Sequence, residues 1–219
     1  MDHASFIEYI FLAPTTTMAD IARICNEAIQ YQCAAVCVPP MFVKKAKSLL
    51  AGSKVKVATV IGFPFGYNAI EAKLAETVLA IIDGADEINM MINLIAVKNN
   101  DWQYLAKEIN TVLTVIRKSE RKIKVIIEAG SLTQEEIITC CDIYGAAAVD
   151  FIQASSGYAE KQITIETVKF LRRHLADAIQ LKAGDDINSF SIQEWVEAGA
   201  NRISFKDPVQ ITTDIMQDV

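Results

Sequence analysis

Histidine is scarce in this 219-residue sequence, and the two histidines, His3 and His174, are isolated from each other. No histidine stands at zinc-ligand spacing from a cysteine, so we expect no metal site. Acidic residues outnumber basic ones, and the formal net charge of −6 argues against a broad surface for nucleic acid or anionic lipid. No uncharged apolar run approaches the ~20 residues that span a bilayer. We therefore expect neither a nucleic-acid partner nor a membrane partner.

The sequence also lacks the marks of a secreted protein. Its first residues, Met1-Asp2-His3, have no basic and apolar regions like those of a signal peptide. The five cysteines, at positions 25, 33, 37, 140 and 141, are odd in number and scattered, which favours buried, reduced thiols over a disulfide framework. We expect a soluble, cytoplasmic protein.

Short apolar or β-branched runs recur about every 25–30 residues, and helical patterns separate them, as in a repeated βα unit. Together with a hydrophobic fraction of 52%, this alternation indicates an α/β protein. Strands are predicted at 34–38, 55–61, 87–92, 122–128, 148–153, 178–182 and 202–205, with a weaker first strand near 7–12. Helices are predicted at 18–31, 70–82, 102–118, 192–198 and 208–218, with capping threonines at 15–17 and a further helix start at 132–136.

Three helix-to-strand joints share a glycine followed by alanine, at Gly84, Gly145 and Gly199. Glycine just past a helix permits the left-handed C-cap conformation, so each is predicted to end a helix. Eight βα units without a linker predict a single domain over 1–219, a (β/α)₈ TIM barrel. A doubly wound open sheet is the alternative, but no Gly-rich phosphate loop follows the first strand.

The predicted strand ends resemble those of the deoxyribose-phosphate aldolase family, over nearly the whole chain. The most specific match is the run at 55–66, Val-Lys-Val-Ala-Thr-Val-Ile-Gly-Phe-Pro-Phe-Gly, and others lie at 34–39, 84–93, 124–128, 150–157 and 181–182. The resemblance implies a class I aldolase that needs no cofactor. In such enzymes a strand-six lysine forms a Schiff base with the donor aldehyde, a strand-seven lysine tunes it, and a strand-four aspartate transfers protons. Glycines after strand seven and a Gly/Ser turn after strand eight bind the substrate phosphate.

The resemblance breaks at these reactive positions. The Schiff-base lysine falls on Gln153 and the aspartate on Asn89, whereas the second lysine is retained as Lys182. The two phosphate-binding glycines fall on Asp185 and Asp186, and the Gly/Ser turn falls on 204–208. On strand one, the family's Asp-His-Thr falls on 8–10, Glu-Tyr-Ile.

These substitutions remove reactive groups. An amide nitrogen cannot condense with an aldehyde, and Asn89 cannot carry a proton near neutral pH. Without a neighbouring ammonium group, Lys182 is expected to stay mostly protonated and to be a weak nucleophile. Asp185 and Asp186 would repel a phosphate dianion, so a sugar 5-phosphate is not expected to bind.

Each candidate residue has a structural interpretation beside the functional one. Lys182 is either a barrel lysine paired with Asp185 or Asp186, or the functional amine, with Tyr158 or a water moving protons. The acidic pair is either a solvated loop or an anchor for a cation.

The remaining candidates are less specific. Ser204 and Lys206 lie in the strand-eight turn, and Lys206 is predicted to pair with Asp185, Asp186 or Asp207. Cys37 and Glu128 are predicted to lie in the barrel interior, with ligand contact as the alternative, and Tyr158 to line the cavity mouth.

Three hypotheses follow for the function. The first is a binding or non-catalytic relative of the family, with a small-molecule ligand in the barrel mouth. The second is a carbonyl-directed lyase on a non-phosphorylated substrate, using Lys182. The third is deoxyribose-phosphate aldolase activity in which Lys182 forms the Schiff base. By analogy with the family, a homodimer is possible.

Overall fold

The computed structural model describes residues 6–158, 161–184 and 192–206, and in this part of the chain eight strands close into a barrel. Each strand pairs in parallel with its neighbours in sequence order, and β8 closes the barrel on β1. The predicted (β/α)₈ barrel is therefore confirmed, and the open sheet is wrong. The strands are β1 Ile7–Ile10, β2 Ala35–Val38, β3 Lys56–Ile61, β4 Glu87–Met91, β5 Lys122–Ile126, β6 Phe151–Gln153, β7 Gln180–Ala183 and β8 Arg202–Phe205.

Helices lie between the strands, and the longest of them match their predicted bounds. The helices in the described ranges are α1 Met18–Gln30, α2 Val43–Leu49, α3 Ile70–Ile82, α4 Leu94–Lys98, α5 Trp102–Lys118, α6 Gln134–Ala146, α7 Ile165–His174 and α8 Ile192–Glu197. The sequence analysis did not predict α2, α4 or α7, and two of these are too short to show a helical period. The helix predicted at 208–218 lies outside the described residues.

Two predicted helix starts are capped by threonine. The side chain of Thr17 accepts a hydrogen bond from the backbone N–H of Asp20, and the Asp20 carboxylate accepts one from the Thr17 backbone N–H. Thr133 and Glu136 form the same reciprocal pair at the start of α6. Each of these reciprocal pairs is a capping box, which accepts hydrogen bonds from backbone N–H groups that the first helical turn leaves without partners. The capping box therefore sets the residue at which the helix begins.

Two of the three glycine joints behave as predicted. Gly84 and Gly199 adopt φ values of +102° and +105°, in the region that side chains disfavour. The prediction for Gly145 is wrong, since this residue lies inside α6. There the chain turns three residues later, at Ala148 with φ +54°, so that an alanine carries the left-handed conformation.

The apolar core lies between the barrel and the helices that surround it. Strand residues that face outward, such as Val36, Ile88 and Val125, pack with helix residues such as Ile24 and Ile109. The residues that alternate with these along each strand face into the barrel, and they include both charged or polar side chains and a small apolar cluster. Buried polar groups therefore gather inside the barrel.

The five cysteines, all within the described ranges, are buried as predicted, and none forms a disulfide. Within the described ranges, no helix has the length and apolar character needed to cross a membrane.

Candidate active site

The centre of the barrel holds an ion cluster formed by five strands. Glu8 of β1 uses one carboxylate oxygen for Lys182 and the other for Lys124, with O–N distances of 2.6 Å each. Lys124 also pairs with Glu87, and the guanidinium of Arg202 lies 3.3 Å from Glu87 and 3.6 Å from Glu8. We call these five residues the central cluster.

The pairing keeps the central cluster charged although it is buried. Burial alone would raise the pKa of Glu8, but its ion pairs with Lys124, Lys182 and Arg202 outweigh burial and hold that pKa well below its usual range. Burial alone would lower the pKa of Lys124, but Glu8 and Glu87 outweigh it and raise the pKa. Glu8 is thus an ionised carboxylate that links two lysines.

The structure corrects one expectation about Lys182, because the ammonium group of Lys124 binds the other oxygen of the carboxylate with which Lys182 pairs, so that Lys182 does have a cationic neighbour. The predicted pairing of Lys182 with Asp185 or Asp186 stays a prediction, since both lie outside the described residues. The partner that the structure gives to its ammonium group is Glu8, 174 residues away in sequence.

Asn89 lies next to this carboxylate. Its side-chain amide donates to Glu8 Oε1 at 2.9 Å and to Cys37 Sγ at 3.4 Å. Both Asn89 and Cys37 are buried in the barrel interior, as predicted for Cys37. A carboxylate is therefore in contact with position 89, although it comes from β1 and not from β4.

Three polar atoms in this interior are buried without a hydrogen-bond partner among the described residues: Asn89 Oδ1, Gln153 Oε1 and Ser204 Oγ. Gln153 uses its amide nitrogen to donate to the Ser155 carbonyl at 2.7 Å, which leaves its oxygen unpaired. The register sets Gln153 beside Lys182 and Ser204 beside Glu8. Because buried polar groups are rarely left unpaired, these atoms mark the barrel interior as a site for a polar ligand.

A cavity of about 320 Å³ opens at the carboxyl end of the strands, where barrel enzymes carry their chemistry. Tyr158 is 48% exposed there, and its hydroxyl donates to the Leu12 carbonyl at 3.3 Å. Its ring meets Phe63 edge-on, with 5.1 Å between centroids. We call this space the mouth cavity; its lining residues are Ile10, Phe11, Leu12, Ala13, Pro14, Ser156, Tyr158 and Lys206.

The mouth cavity contains two of the predicted residues, Tyr158 and Lys206. The prediction for Tyr158 is confirmed as to its position. Asp185, Asp186 and Asp207, the predicted partners of Lys206, lie outside the described residues.

A further buried carboxylate, besides those of Glu8 and Glu87, contacts the mouth-cavity residue Ser156. Glu128 follows β5, is 3% exposed and accepts hydrogen bonds on Oε2 from both the backbone N–H and the hydroxyl of Ser156. Its position in a polar network matches the prediction.

The sequence analysis missed most of the central cluster. Glu8, Glu87, Lys124 and Arg202 were not singled out, although each stands in a strand-forming run. A charged residue in a strand-forming run indicates a polar site inside the barrel. The other face of the strand packs against the apolar helix layer, where charged residues are rarely buried. No group of three potential metal ligands among His, Cys, Asp and Glu occurs within the described ranges.

Two solved structures with the same architecture carry the name of aldolases. The protein "QR15, an Aldolase" is 31% identical with a TM-score of 0.89, covering 99% of this chain and 97% of its own. A deoxyribose phosphate aldolase from Aeropyrum pernix, described as tetrameric, is 26% identical with a TM-score of 0.89, covering 99% and 92%. The fold therefore places the chain among the TIM-barrel aldolases by similarity.

Residues 1–191 match the family model of the DeoC/LacD family aldolases, and the chain belongs to this family. A deoxyribose-phosphate aldolase from Thermococcus gammatolerans is 41% identical over 214 residues, which are 96% of this chain and 95% of the relative. One from Caldicellulosiruptor saccharolyticus is 38% identical over 213 residues, covering 96% and 97%.

These relatives correct the first functional hypothesis. Proteins that match almost the whole chain at 37–41% identity bear the name of a working aldolase, so the expectation of a non-catalytic relative is wrong. That expectation rested on Gln153, Asn89 and the acidic pair at 185–186, and it did not take account of Lys124, which β5 brings into the barrel beside Glu8.

Proposed function

We propose that the protein is an aldolase that breaks and forms a carbon–carbon bond through a Schiff base on Lys182, with 2-deoxyribose 5-phosphate as its substrate. The family relationship supports the reaction class and the relatives' names support the substrate. The observation that carries the assignment of the amine is the ion pair of Lys182 with Glu8 inside the barrel, beside Gln153.

The charges of the central cluster favour a lysine that can release a proton. The cluster contains three cations, Lys124, Lys182 and Arg202, and two carboxylates, Glu8 and Glu87. Burial penalises the excess positive charge, and the loss of one proton makes the cluster neutral. A neutral amine has the lone pair that attack on an aldehyde requires.

Lys182 is better placed than Lys124 to be the reacting amine. Lys124 binds both carboxylates, whereas Lys182 binds only Glu8 within the described part of the chain. Lys182 also pairs in register with Gln153, the position of the family's reactive lysine. Its fully buried side chain must turn from Glu8 toward the barrel mouth in order to meet the aldehyde.

Glu8 supplies the carboxylate that position 89 lacks. Asn89 donates to Glu8 Oε1, the same oxygen that binds Lys182, so the amide holds the carboxylate against the amine. In this scheme the ionised Glu8 positions Lys182 through their ion pair, and the proton that the Lys182 ammonium loses before Schiff-base formation passes to water.

A second candidate substrate is a non-phosphorylated aldehyde. Most of the mouth cavity is apolar, with Ile10, Leu12 and Pro14 among its walls, which favours an uncharged substrate. Lys206 supplies a cation at the same cavity and favours a phosphorylated one, because an ammonium group binds phosphate as a point charge.

The test is retro-aldol cleavage of 2-deoxyribose 5-phosphate and of 2-deoxyribose, followed by acetaldehyde release in a coupled dehydrogenase assay. We expect Lys182→Met to abolish turnover while the variant stays folded, since two cations then balance two carboxylates. The matched control is Lys122→Met, an exposed lysine at the opposite end of the barrel, which should retain activity. Turnover that survives in Lys182→Met would refute the assignment of the amine.

Lys206→Met separates the two substrates. With the phosphorylated substrate, loss of a charged contact should raise KM roughly 10-fold or more, and with 2-deoxyribose KM should hardly change. An unchanged KM for the phosphorylated sugar would favour the second candidate.

We also propose that the protein associates with copies of itself. Large apolar side chains are exposed on and near α3, among them Phe65, Tyr67, Leu79 and Ile82. Light scattering after size exclusion tests this; a monomer at micromolar concentration would contradict it.

A further inference from the structure

Ser156 and Glu128 form a hydrogen-bonded pair between the mouth cavity and the protein interior. Ser156 lines the cavity, while its hydroxyl donates to Glu128 Oε2. The backbone N–H of Ser156 donates to the same oxygen at 3.1 Å. Neither residue belongs to the central cluster.

The hydroxyl of Ser156 has one acceptor position left. A serine oxygen has one proton and two lone pairs. The proton goes to Glu128, and one lone pair accepts from the backbone N–H of Tyr158 at 3.1 Å. The second lone pair remains for a donor in the mouth cavity, and a substrate hydroxyl is such a donor.

Glu128 is held in an unfavourable conformation. Its φ of +55° lies in the left-handed region, which is uncommon for a residue with a side chain. Its second carboxylate oxygen, Oε1, is buried and has no hydrogen-bond partner among the described residues. Backbone strain of this kind clusters at functional sites, and the unpaired oxygen leaves Glu128 with free capacity to accept a proton.

We propose that Ser156 and Glu128 are the base for the carbon–carbon cleavage step, with Ser156 as a catalytic residue that receives the substrate hydroxyl proton and Glu128 as the positioning residue that accepts it through Ser156. The inference rests on the proposed function, since it needs the Schiff base on Lys182. It assigns the cleavage step to a group separate from Glu8.

The cleavage step conserves both protons and electron pairs. In the protonated imine of the sugar, the hydroxyl on the carbon β to the imine carbon gives its proton to Ser156 Oγ, and the Ser156 proton passes to Glu128. The oxygen's electron pair forms the carbonyl of the departing aldehyde as the adjacent carbon–carbon bond breaks. The bonding pair of that bond moves into the imine and gives an enamine on the lysine nitrogen. The glutamic acid then carries one proton, and bond formation reverses each step.

The test compares Ser156→Ala with Ser155→Ala. Ser155 lies in the same loop and is also buried. Within the described residues its hydroxyl accepts from the Gly157 N–H at 3.1 Å and makes no hydrogen bond to Glu128, so its removal leaves the Ser156–Glu128 pair in place. We expect Ser156→Ala to lower kcat about 100-fold with little change in KM, and Ser155→Ala to stay within roughly threefold of the wild type. Ser156→Thr, which keeps the hydroxyl, should recover most of the activity.

Two readouts separate this proposal from the proposed function. Borohydride trapping with acetaldehyde measures Schiff-base formation alone, and Ser156→Ala should retain the wild-type adduct while cleavage is lost. Glu128→Gln, which preserves size, should likewise retain the adduct and lose cleavage, with kcat lowered and KM little changed.

The outcomes are distinct. No adduct in the wild type refutes the Schiff base itself. An adduct with undiminished cleavage in both Ser156→Ala and Glu128→Gln overturns the role of the pair and leaves the Schiff base intact.

Discussion

Glu8→Gln is the substitution to which the central cluster should be most sensitive. The wild-type side chain is fully buried and pairs with Lys124, Lys182 and Arg202. With glutamine in its place, three buried cations share one carboxylate, Glu87. Removal of one partner from a buried ion pair typically costs 3–5 kcal/mol, because the other charge stays buried and uncompensated.

In a protein of this size, each kcal/mol lowers Tm by about 2–4 °C, so the variant should melt roughly 6–20 °C below the wild type. Urea denaturation at pH 7 and a thermal scan measure both quantities. The matched control is Glu166→Gln, whose carboxylate is 77% exposed and forms a surface pair with Lys169. Such pairs contribute about 0–1 kcal/mol, so the control should change little.

Acidification gives a second readout with a fixed sign. The pKa of Glu8 is lower in the folded protein than the value of about 4.3 for an unfolded glutamate. Its stabilising contribution is therefore present above that unfolded value and is lost as the pH falls below it toward the folded pKa. The wild type should begin to lose this part of its stability as the pH falls below about 5 and should go on losing it down to the folded pKa, whereas Glu8→Gln should not show this loss.

The double variant Glu8→Gln with Lys182→Met removes the unpaired cation together with the carboxylate. It should regain about 1–3 kcal/mol relative to Glu8→Gln alone. The reasoning is refuted if Glu8→Gln lies within about 1 kcal/mol of the wild type and loses as much stability on acidification.

Further predictions concern parts of the fold remote from the chemistry. Lys73 and Glu108 form another fully buried ion pair, with 2.6 Å between nitrogen and oxygen. Lys73→Met should therefore lower the free energy of unfolding in urea by about 3–5 kcal/mol, and adding Glu108→Leu should recover most of that loss. Full stability in Lys73→Met would contradict this. Ala148→Gly relieves a φ of +54° and should raise the free energy of unfolding by about 0.5–1 kcal/mol; a lower value would show that the methyl group matters more. Gly66→Ala should leave little folded protein by circular dichroism, since its Cβ would lie 1.6 Å from the Ile92 carbonyl oxygen, and a normal melting curve would count against the packing described here.

The barrel was predictable because its signals are local. Ile70–Ile82, Trp102–Lys118 and Arg202–Phe205 have the bounds read from the sequence, since each combines a clear period with a recognisable end. The turn at Ala148 was not predictable, because alanine by itself disfavours the left-handed region. The path of the surrounding chain imposes this conformation on it. The prediction of one domain over 1–219 stays a prediction.

The site was harder to predict because its contacts are made by barrel closure. Glu8 and Lys182 are 174 residues apart, and only the pairing of β8 with β1 brings those parts of the chain together. A comparison with the family position by position records Asn89 as a lost carboxylate, although a carboxylate from β1 hydrogen-bonds to that amide. The same position-by-position comparison records Gln153 as a lost lysine, and it contributed to the wrong expectation of a non-catalytic protein.

The most direct measurement of the central claim is borohydride reduction of the protein with acetaldehyde, followed by intact mass and peptide mapping. Our account predicts one reduced adduct on Lys182, absent in Lys182→Met and present in Lys206→Met. An adduct on Lys206, or none at saturating aldehyde, would contradict it.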